Sequence, residues 1–333
     1  MKDLIIQKKL DNSQKEELEN FIQEFGNVSI WQTPLWNEVV LLESNQTWFI
    51  LKENKKISAF CVVIERIVIA RITFGPIYKE EKSGFEILES IYNYYKKGFI
   101  GLLYIQPEIM CSGIFNSSLT EKLNCRVKKT TTTWATKLIN LSQSEEAIYS
   151  KFNQNHKRSI KKAKDAGFIV KALNPINEYV LFYGIYKEMH EHRKIQAIIS
   201  DEKIFVDLCD RLVEKNKCFI YGIYDSNDKL QGAALFIKEG NRLIYQFGAS
   251  RKEIKMPLLH LVFHKTIIDA KNNNFEHFDL GGYAKGDNIN EQTNNINRFK
   301  DGFNGELIVY PTSISVEINP IIAIFVKIIK LVL

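Results

Sequence analysis

The chain of 333 residues contains one sequence pattern twice, at an offset of 173 residues. Phe74-Gly75 corresponds to Phe247-Gly248, and the residues around each pair follow the same order of patterns. In each copy a β-branched strand, a polar turn and two further strands precede an amphipathic helix and a buried strand. Helical segments are predicted before the two copies, at 13–25, 34–44, 144–166 and 177–192. Such a repeat predicts two similar domains, each with its own core.

The order of elements in each copy is helix, helix, three strands, helix, strand. A final strand that follows a crossover helix predicts an α/β fold with a sheet of mixed direction. This order resembles that of the GNAT acyltransferase fold. The predicted domains are 1–143 together with 312–333, which return as a C-terminal helix, and 144–311.

The net charge of +6 is concentrated in one segment. Residues 151–171 hold seven Lys and Arg side chains against Asp165 alone, which accounts for the whole excess of 45 basic over 39 acidic residues. Lys157, Lys161 and Lys164 share a face of the predicted helix, because residues three and four apart are neighbours on a helix surface. One basic face predicts contact with one anionic partner, and the alternative is a solvated helix surface.

The cysteines and the two chain ends bear on location. Five cysteines without a C-x-x-C pair disfavour both a disulfide framework and a structural zinc site, so we expect reduced thiols, no metal and a cytoplasmic protein. Residues 1–20 lack the apolar stretch of a signal peptide. The thirteen residues IIAIFVKIIKLVL after Pro320 are too few to span a bilayer as a helix. We expect 321–333 either to pack on the protein or to lie at the inner membrane face.

The run 275–303 carries the clearest signal of a functional site. The strand-like sequence FEHFDL ends just after Asp279 and leads into Gly281-Gly282. Glycines at a strand end allow a ligand or another backbone to come close. A polar loop is predicted over 284–295, before the sequence RFKDGF. No dinucleotide-binding, P-loop or nucleophile-elbow motif occurs in the sequence.

Five motifs together resemble the FemABX family, the non-ribosomal aminoacyltransferases that build peptidoglycan cross-bridges. That family borders on the BioF-like GNAT acetyltransferases. The resemblance covers nearly the whole chain and rests on the order of the motifs, which are WQTPLW (31–36), NHKRSIKKAKDAGFIV (155–170), YQFGAS (245–250), FDLGG (278–282) and RFKDGFNGE (298–306). It implies tandem GNAT-like domains with a cleft between them. The coiled-coil arm of longer members has no counterpart in this sequence.

The resemblance implies transfer of an amino acid from aminoacyl-tRNA to an amine of a nucleotide-linked or lipid-linked envelope precursor. It assigns catalysis to Phe299 and Lys300, since an aromatic ring stacks on a base and an ammonium group pairs with a phosphate or stabilises an oxyanion. The residues expected to bind substrate are Trp36, Tyr245, Phe247, Asp279, Gly281, Gly282, Tyr283 and Arg298. Contact with tRNA or another anion is expected from Lys157, Arg158, Lys161 and Lys164. No cofactor is expected beyond the donor.

The sequence departs from the peptidoglycan-acting relatives at three places. Val40 stands where they have Lys, 195–199 lacks their Arg, and Gln106 stands where they have Asp. The acceptor therefore stays open, and an amino sugar of a surface polysaccharide is an alternative. An acyl-CoA donor and a binding module without activity also stay open, although 248–257 lacks the phosphate-binding turn usual in CoA-dependent GNAT enzymes. The candidates for a general base are Glu108, Glu188, Glu191 and Asp279.

Overall fold

The computed structural model describes residues 2–40, 45–115, 118–123, 125–129, 133–173, 176–286 and 289–324. The chain divides into two compact units. The first consists of Met1–Trp134, Lys285–Asp287 and Val309–Leu333, and the second of Ala135–Ala284 and Asn288–Ile308. The first boundary lies after Trp134 rather than after 143, because the strand that begins at Thr133 pairs within the sheet of the second unit. The second lies after Ile308 rather than after 311.

Sixteen strands and ten α-helices occur in the part of the chain that the structure describes. The first half contains β1 (Lys2–Gln7), α1 (Asn12–Phe25), α2 (Pro34–Val40), β2 (Asn45–Glu53), β3 (Lys56–Arg66), β4 (Ile69–Thr73), β5 (Ile77–Tyr78), α3 (Glu81–Lys96), β6 (Leu102–Gln106), α4 (Ser118–Leu123), β7 (Val127–Lys129) and β8 (Thr133–Asn140). The second half contains α5 (Glu145–Lys151), α6 (Gln154–Asp165), β9 (Ile169–Ala172), α7 (Ile176–Arg193), α8 (Glu202–Glu214), β10 (Cys218–Tyr224), β11 (Leu230–Glu239), β12 (Arg242–Ser250), α9 (Leu258–Asn272), β13 (His277–Asp279), β14 (Tyr283–Lys285), α10 (Glu291–Asp301), β15 (Glu306–Val309) and β16 (Ile314–Glu317).

Each unit contains one mixed sheet, and the two sheets have the same strand order. The first sheet runs β1-β2-β3-β4-β6-β16-β7, and the second runs β9-β10-β11-β12-β13-β8-β14. In both, the central pair is parallel, β4 with β6 and β12 with β13, and the strands of that pair are joined through α3 or α9. The repeat in the sequence therefore corresponds to a repeated sheet, as predicted.

The helical segment predicted over 144–166 is broken into α5 and α6. Ser144 caps α5 by accepting a hydrogen bond from the N–H of Ala147. The chain then leaves the helix at Phe152, which is buried against Phe303 with 5.1 Å between the ring centroids. Asn153 starts α6 by accepting a hydrogen bond from the N–H of His156 at 2.8 Å. Burial of an aromatic ring thus ends one helix, and a new cap begins the next.

The polar loop predicted over 284–295 is shorter than expected. Strand β14 extends to Lys285, and α10 begins at Glu291. Asn290 caps α10, since its side chain accepts a hydrogen bond from the N–H of Thr293 at 2.8 Å. Asparagines that were predicted to lie in the loop therefore include the cap of α10 and residues within that helix.

The C-terminal segment is described only in part. Residues 321–324 are helical, and the rest of the segment 321–333, for which packing or membrane contact is predicted, falls outside the described residues. Within the described ranges no helix has both the length and the apolar character needed to cross a bilayer. The longest of these helices, α7, has 18 residues, so they include no coiled-coil arm.

Candidate active site

A pocket opens in the second unit where two parallel strands separate. Strand β12 pairs with β13 only over its first three residues, 242–244, whereas β4 pairs with β6 over five residues in the first unit. Beyond Ile244, β12 continues to Ser250 along β11, with a bulge that leaves Gln246 without a partner in the ladder. The pocket has a volume of about 630 Å³. Its lining residues are Met189, His192, Arg193, Tyr245, Gly248, Ala249, Ser250, Leu259, Glu291, Gln292, Asn295, Ile296, Phe299 and Lys300.

Lys300 lies in the wall of this pocket, which we call the Lys300 pocket. The residue is 4% exposed, on the last turn of α10, and its Nζ donates a hydrogen bond to the carbonyl oxygen of Gly282. Burial lowers the pKa of Lys300 to about 8, although the negative charge of Asp279 acts in the opposite direction. An ammonium group with so few partners, in a setting of low polarity, interacts strongly with a negative charge that develops beside it.

Asp279 ends β13 and has no solvent-exposed surface. Its Oδ1 accepts hydrogen bonds from the hydroxyl of Thr136 and, at 2.7 Å, from the N–H of Gly281. Its Oδ2 has no hydrogen-bond partner among the described residues. Burial raises the pKa of Asp279, opposed by these hydrogen bonds and by the charges of Arg242 and Lys300. Asp279 therefore does not line the pocket. Its hydrogen bond from the N–H of Gly281 holds in place the backbone that Lys300 contacts.

The residues after Asp279 bring that backbone to Lys300. Gly281 has φ +74°, and a Cβ on it would lie 2.6 Å from the carbonyl oxygen of Tyr245, so only glycine fits. Gly282 supplies the carbonyl that Lys300 contacts. The hydroxyl of Tyr283 lies 3.4 Å from Asp301 Oδ2. Asp279, Gly281, Gly282 and Tyr283 are absent from the pocket lining, so the FDLGG motif positions the pocket from outside it.

Phe299 packs in a cluster of rings beneath the pocket, and part of it lines the pocket. Its ring lies 4.9 Å from that of His260 and 5.1 Å from that of Phe263, edge to face in both cases. His156 Nε2 lies 2.8 Å from the carbonyl oxygen of Phe299, and the ring of His156 rests on Gly302, where a Cβ would overlap it. The first turn of α6 and the last turn of α10 are therefore fixed to each other beside Lys300.

The polar lining residues give the pocket both signs of charge. Arg193 ends α7 with an exposed side chain and forms no ion pair among the described residues. Glu291 begins α10 and is also exposed. Apolar contact comes from Met189, Leu259 and Ile296. The pocket therefore suits a ligand that has both an apolar part and charged groups.

Two of the aromatic residues expected to bind substrate are buried in the packing of their units. Trp36 has no exposed surface, and its ring lies 4.8 Å from that of Trp31. Phe247 is 7% exposed and packs against Tyr186 and Phe205. Neither side chain is open to a ligand in this structure, because aromatic residues in these motifs fill the cores of their units. Tyr245 remains half-buried in the pocket wall, and Arg298 is exposed on α10.

The basic residues of α6 form an exposed face. Lys161 pairs with Asp165 at 3.1 Å, and the Nζ of Lys157 donates to the carbonyl oxygen of Ser150. Arg158 and Lys161 also line a shallow depression of about 570 Å³ that extends to Met256. Lys164 is exposed on the same helix. None of these four side chains lines the Lys300 pocket.

The carboxylates proposed as general bases are dispersed. Glu108 is buried in the first unit, just after β6. Glu188 lies 3.9 Å from Arg251, and Glu191 lies 3.9 Å from Lys187, both on the surface of α7. None of the three lines the Lys300 pocket. The carboxylate in its lining is that of Glu291, which lies within the range predicted as a polar loop, 284–295.

Sequence reasoning also missed Arg193 and Thr136. Arg193 is the last residue of α7, and a basic residue at the end of the helix predicted over 177–192 was the available signal. Thr136 is hydrogen-bonded to Asp279 from a strand 143 residues earlier in the chain, a separation that no local pattern reveals.

Comparison with known proteins agrees with the repeated sheet. Residues 150–300 match the family described as an acetyltransferase (GNAT) domain. The chain has a tandem GNAT fold. No curated protein sequence matches it.

Solved structures share this fold over nearly the whole chain. The crystal structure of FemX is 12% identical, with a TM-score of 0.76, and the alignment covers 98% of this chain and 100% of FemX. L-PGS from Bacillus licheniformis is 12% identical, with a TM-score of 0.60 and coverage of 94% and 95%. A tandem GNAT protein from the clavulanic acid biosynthesis pathway is 9% identical, with a TM-score of 0.57 and coverage of 96% and 99%. The predicted resemblance to FemABX proteins is thus confirmed in the fold.

Proposed function

We propose that the protein is an acyltransferase of cell-envelope biosynthesis that moves an amino acid from aminoacyl-tRNA to an amine of a peptidoglycan or other envelope precursor. The precursor is nucleotide-linked or lipid-linked, and the reaction takes place in the cytoplasm. The observation that carries the proposal is the buried Lys300, whose ammonium group lies in the wall of a mixed polar and apolar pocket. The fold shared with FemX supports the class of reaction.

The chemistry follows from an activated donor. The acceptor amine attacks the carbonyl carbon of the ester that joins an amino acid to tRNA, and a negative charge develops on the ester carbonyl oxygen. As the amide C–N bond forms, the C–O bond to the tRNA ribose breaks; the amine loses a proton and the departing ribose oxygen takes one up. At neutral pH a lysine with a pKa of about 8 is mostly protonated, so Lys300 offers a positive charge in a site with little water. Removal of one such donor costs about a hundredfold to a thousandfold in other acyl-transfer sites. Glu291, in the same lining, is the best-placed carboxylate to accept the proton of the amine.

The donor proposal also draws on positive charge outside the pocket. Arg193 is exposed at the pocket, and Lys157, Arg158, Lys161 and Lys164 extend along α6. A row of basic side chains binds an RNA acceptor stem through its phosphates without reading its sequence. The ring of Phe299 forms part of the pocket wall, where the terminal base or the aminoacyl group would contact it.

An acyl-CoA donor is the second candidate, favoured by the acetyltransferase description of the family that 150–300 match. In GNAT enzymes that use CoA, N–H groups at a helix start bind the pyrophosphate. At the start of α9, Pro257 has no N–H, and the N–H groups of Leu258 and His260 donate to the carbonyl oxygens of Met256 and Pro257. This arrangement leaves few donors for a pyrophosphate, which supports aminoacyl-tRNA as the donor.

The proposal is tested with purified protein in physiological salt. Acceptor-stem minihelices charged with a panel of amino acids and, separately, acetyl-CoA are titrated into the protein. Transfer of labelled amino acid to extracted nucleotide-linked and lipid-linked envelope precursors is then measured. Lys300→Met keeps an apolar side chain of similar length in the wall, and Lys203→Met on the exposed surface of α8 is the matched control.

We expect charged minihelices to bind and to donate, with the transfer rate of Lys300→Met reduced about a hundredfold or more and that of Lys203→Met unchanged. Saturable binding of acetyl-CoA without binding of minihelices would assign the protein to the acyl-CoA-dependent group. Equal rates for Lys300→Met and the wild type would remove Lys300 from the mechanism. Binding of precursor without transfer from either donor would indicate a binding module.

A further inference from the structure

Large apolar side chains project from one end of the sheet in the first unit. Ile67 is 94% exposed at the β3–β4 turn, and Phe99 is 83% exposed in the turn between α3 and β6. Ile321 and Ile324 are 70% and 54% exposed at the start of the C-terminal helical segment. Exposed apolar residues are ordinary when isolated, but several together mark a contact surface. We call these four residues the apolar tip cluster.

Backbone contacts hold the three segments together. The N–H of Gly101 donates to the carbonyl oxygen of Val68 at 2.8 Å, which places the turn with Phe99 beside the turn with Ile67. The N–H of Ile318 donates to the carbonyl oxygen of Gly101 at 2.9 Å. Ala323 then packs against Leu102, so closely that a Cβ on Gly101 would lie 2.8 Å from the nitrogen of Ala323. The cluster is therefore a single fixed surface formed by parts of the chain far apart in sequence.

Ile67 is an unusual residue for its position. Its backbone has φ +50°, a conformation in which Asn, Asp or Gly is favoured and a β-branched side chain is strained. Since the side chain is almost entirely exposed, packing within the unit does not explain why isoleucine stands there. Isoleucine at this turn makes sense if the side chain is buried against a partner.

The charges around the cluster are mostly positive. Arg66, Lys96, Lys97 and Arg126 are exposed at this end of the sheet. Their location follows from the register, since Arg66 ends β3, Lys96 ends α3, and the carbonyl oxygen of Arg126 accepts from the N–H of Glu317. The nearby Glu65 is paired with Lys8 at 2.7 Å.

We infer that the apolar tip cluster and its basic rim form a docking surface for an anionic phospholipid bilayer. Apolar tips that enter the interfacial layer and cations that meet the lipid headgroups are the two contributions that bind peripheral proteins to membranes. A second copy of the chain fits less well, because a twofold contact would bring the same basic rim against itself. This inference does not depend on which donor or acceptor the protein uses.

The test is vesicle binding by the full chain, measured by co-sedimentation with vesicles of phosphatidylcholine alone and of phosphatidylcholine with phosphatidylglycerol. Ile67→Asp with Phe99→Asp removes both turn tips, and Asp tolerates the backbone of residue 67. The control is Met110→Asp, at an apolar residue that is 67% exposed beyond the other end of β6. Lys96→Gln with Lys97→Gln removes rim charge alone. Circular dichroism and the melting temperature establish that each variant is folded.

We expect binding that is stronger with phosphatidylglycerol and weaker at high salt. Loss of both tips is expected to lower vesicle affinity about a hundredfold, and loss of two rim lysines to lower it about thirtyfold on anionic vesicles only. The Met110→Asp protein is expected to bind as the wild type does. Absence of binding to anionic vesicles, or an unchanged affinity of the tip variant, would refute the inference. If the wild type formed a dimer in solution and the tip variant were a monomer, the surface would be assigned to contact with a second copy of the chain.

Discussion

Acidification is expected to weaken the second unit through its buried histidines. His264 of α9 packs against the rings of Tyr149 and Phe152. Burial lowers its pKa to about 4, and the charge of Lys164 acts in the same direction. The pKa of His260 is also lowered to about 4, chiefly by burial and then by the neighbouring His156. Both rings are therefore neutral in the folded chain and take up a proton near pH 6.5 when it unfolds.

The sign and size of the change in the free energy of unfolding follow from the difference between the folded and unfolded pKa values of these histidines. Between pH 6.5 and pH 4 the unfolded chain binds protons that the folded chain does not, so the free energy of unfolding falls as the pH falls. From pH 7.5 to pH 5.5 the loss is about 1.3 kcal/mol for each histidine with pKa values of 6.5 and 4, or about 2.6 kcal/mol for the two. Asp279 acts in the opposite direction, because its raised pKa means that the folded chain takes up that proton first.

The assay is urea unfolding, followed by circular dichroism at pH 7.5, 6.5 and 5.5 in constant salt. Comparison of wild type with His264→Gln cancels the contributions of other groups. The variant is expected to lose about 1.3 kcal/mol less than the wild type over this range. His192→Gln, an exposed histidine of α7, is the matched control and is expected to lose as much as the wild type. An identical pH dependence of wild type and His264→Gln would refute the argument that burial keeps His264 neutral.

Three further predictions concern single positions. If the ammonium form of Lys300 stabilises the transition state, the transfer rate is expected to fall about tenfold per pH unit above about pH 8, because Lys300 loses its proton there. A transfer rate that rises through pH 8 would instead indicate that Lys300 acts as a base. Gly281→Ala is expected to lower the free energy of unfolding by at least about 1–2 kcal/mol in urea unfolding, because of the positive φ and the close carbonyl oxygen of Tyr245, and an unchanged midpoint would contradict this. Gln32→Leu is expected to lower the free energy of unfolding by about 2–4 kcal/mol in the same assay. The reason is that the Gln32 side chain accepts a hydrogen bond from the N–H of Val62 at 2.9 Å and donates one to the carbonyl oxygen of Thr73 at 2.8 Å. A loss below about 1 kcal/mol would contradict this bridging role.

Local sequence predicted most single elements correctly. The helix predicted over 13–25 is α1 with one further residue at its start, and the helix predicted over 177–192 is α7 with one further residue at each end. Ser144 caps α5, and Gly167 has a positive φ just after α6, as serine and glycine commonly do at the two ends of a helix. Caps, turns and the spacing of apolar residues act within a few residues, so one sequence is enough to reveal them.

Contacts distant in sequence produced the differences. Phe152 ends α5 because it is buried against Phe303, and β8 joins the second sheet because it pairs with β13. The aromatic residues of two motifs, Trp36 and Phe247, proved to be core residues. A motif shows that a side chain is required, and only the fold shows whether that side chain faces a ligand or a core.

The sequence by itself determined the duplicated α/β architecture, because the period of its apolar residues and the order of its elements repeat along the chain. It also singled out Lys300, by the motif around it. Only the tertiary structure decided that β12 and β13 separate after three paired residues, so that a pocket forms there with Arg193 and Glu291 in its lining. It likewise decided that Ile67 and Phe99 lie at one end of a sheet. Strand register and long-range packing bring such residues together, and neither leaves a mark in the local sequence.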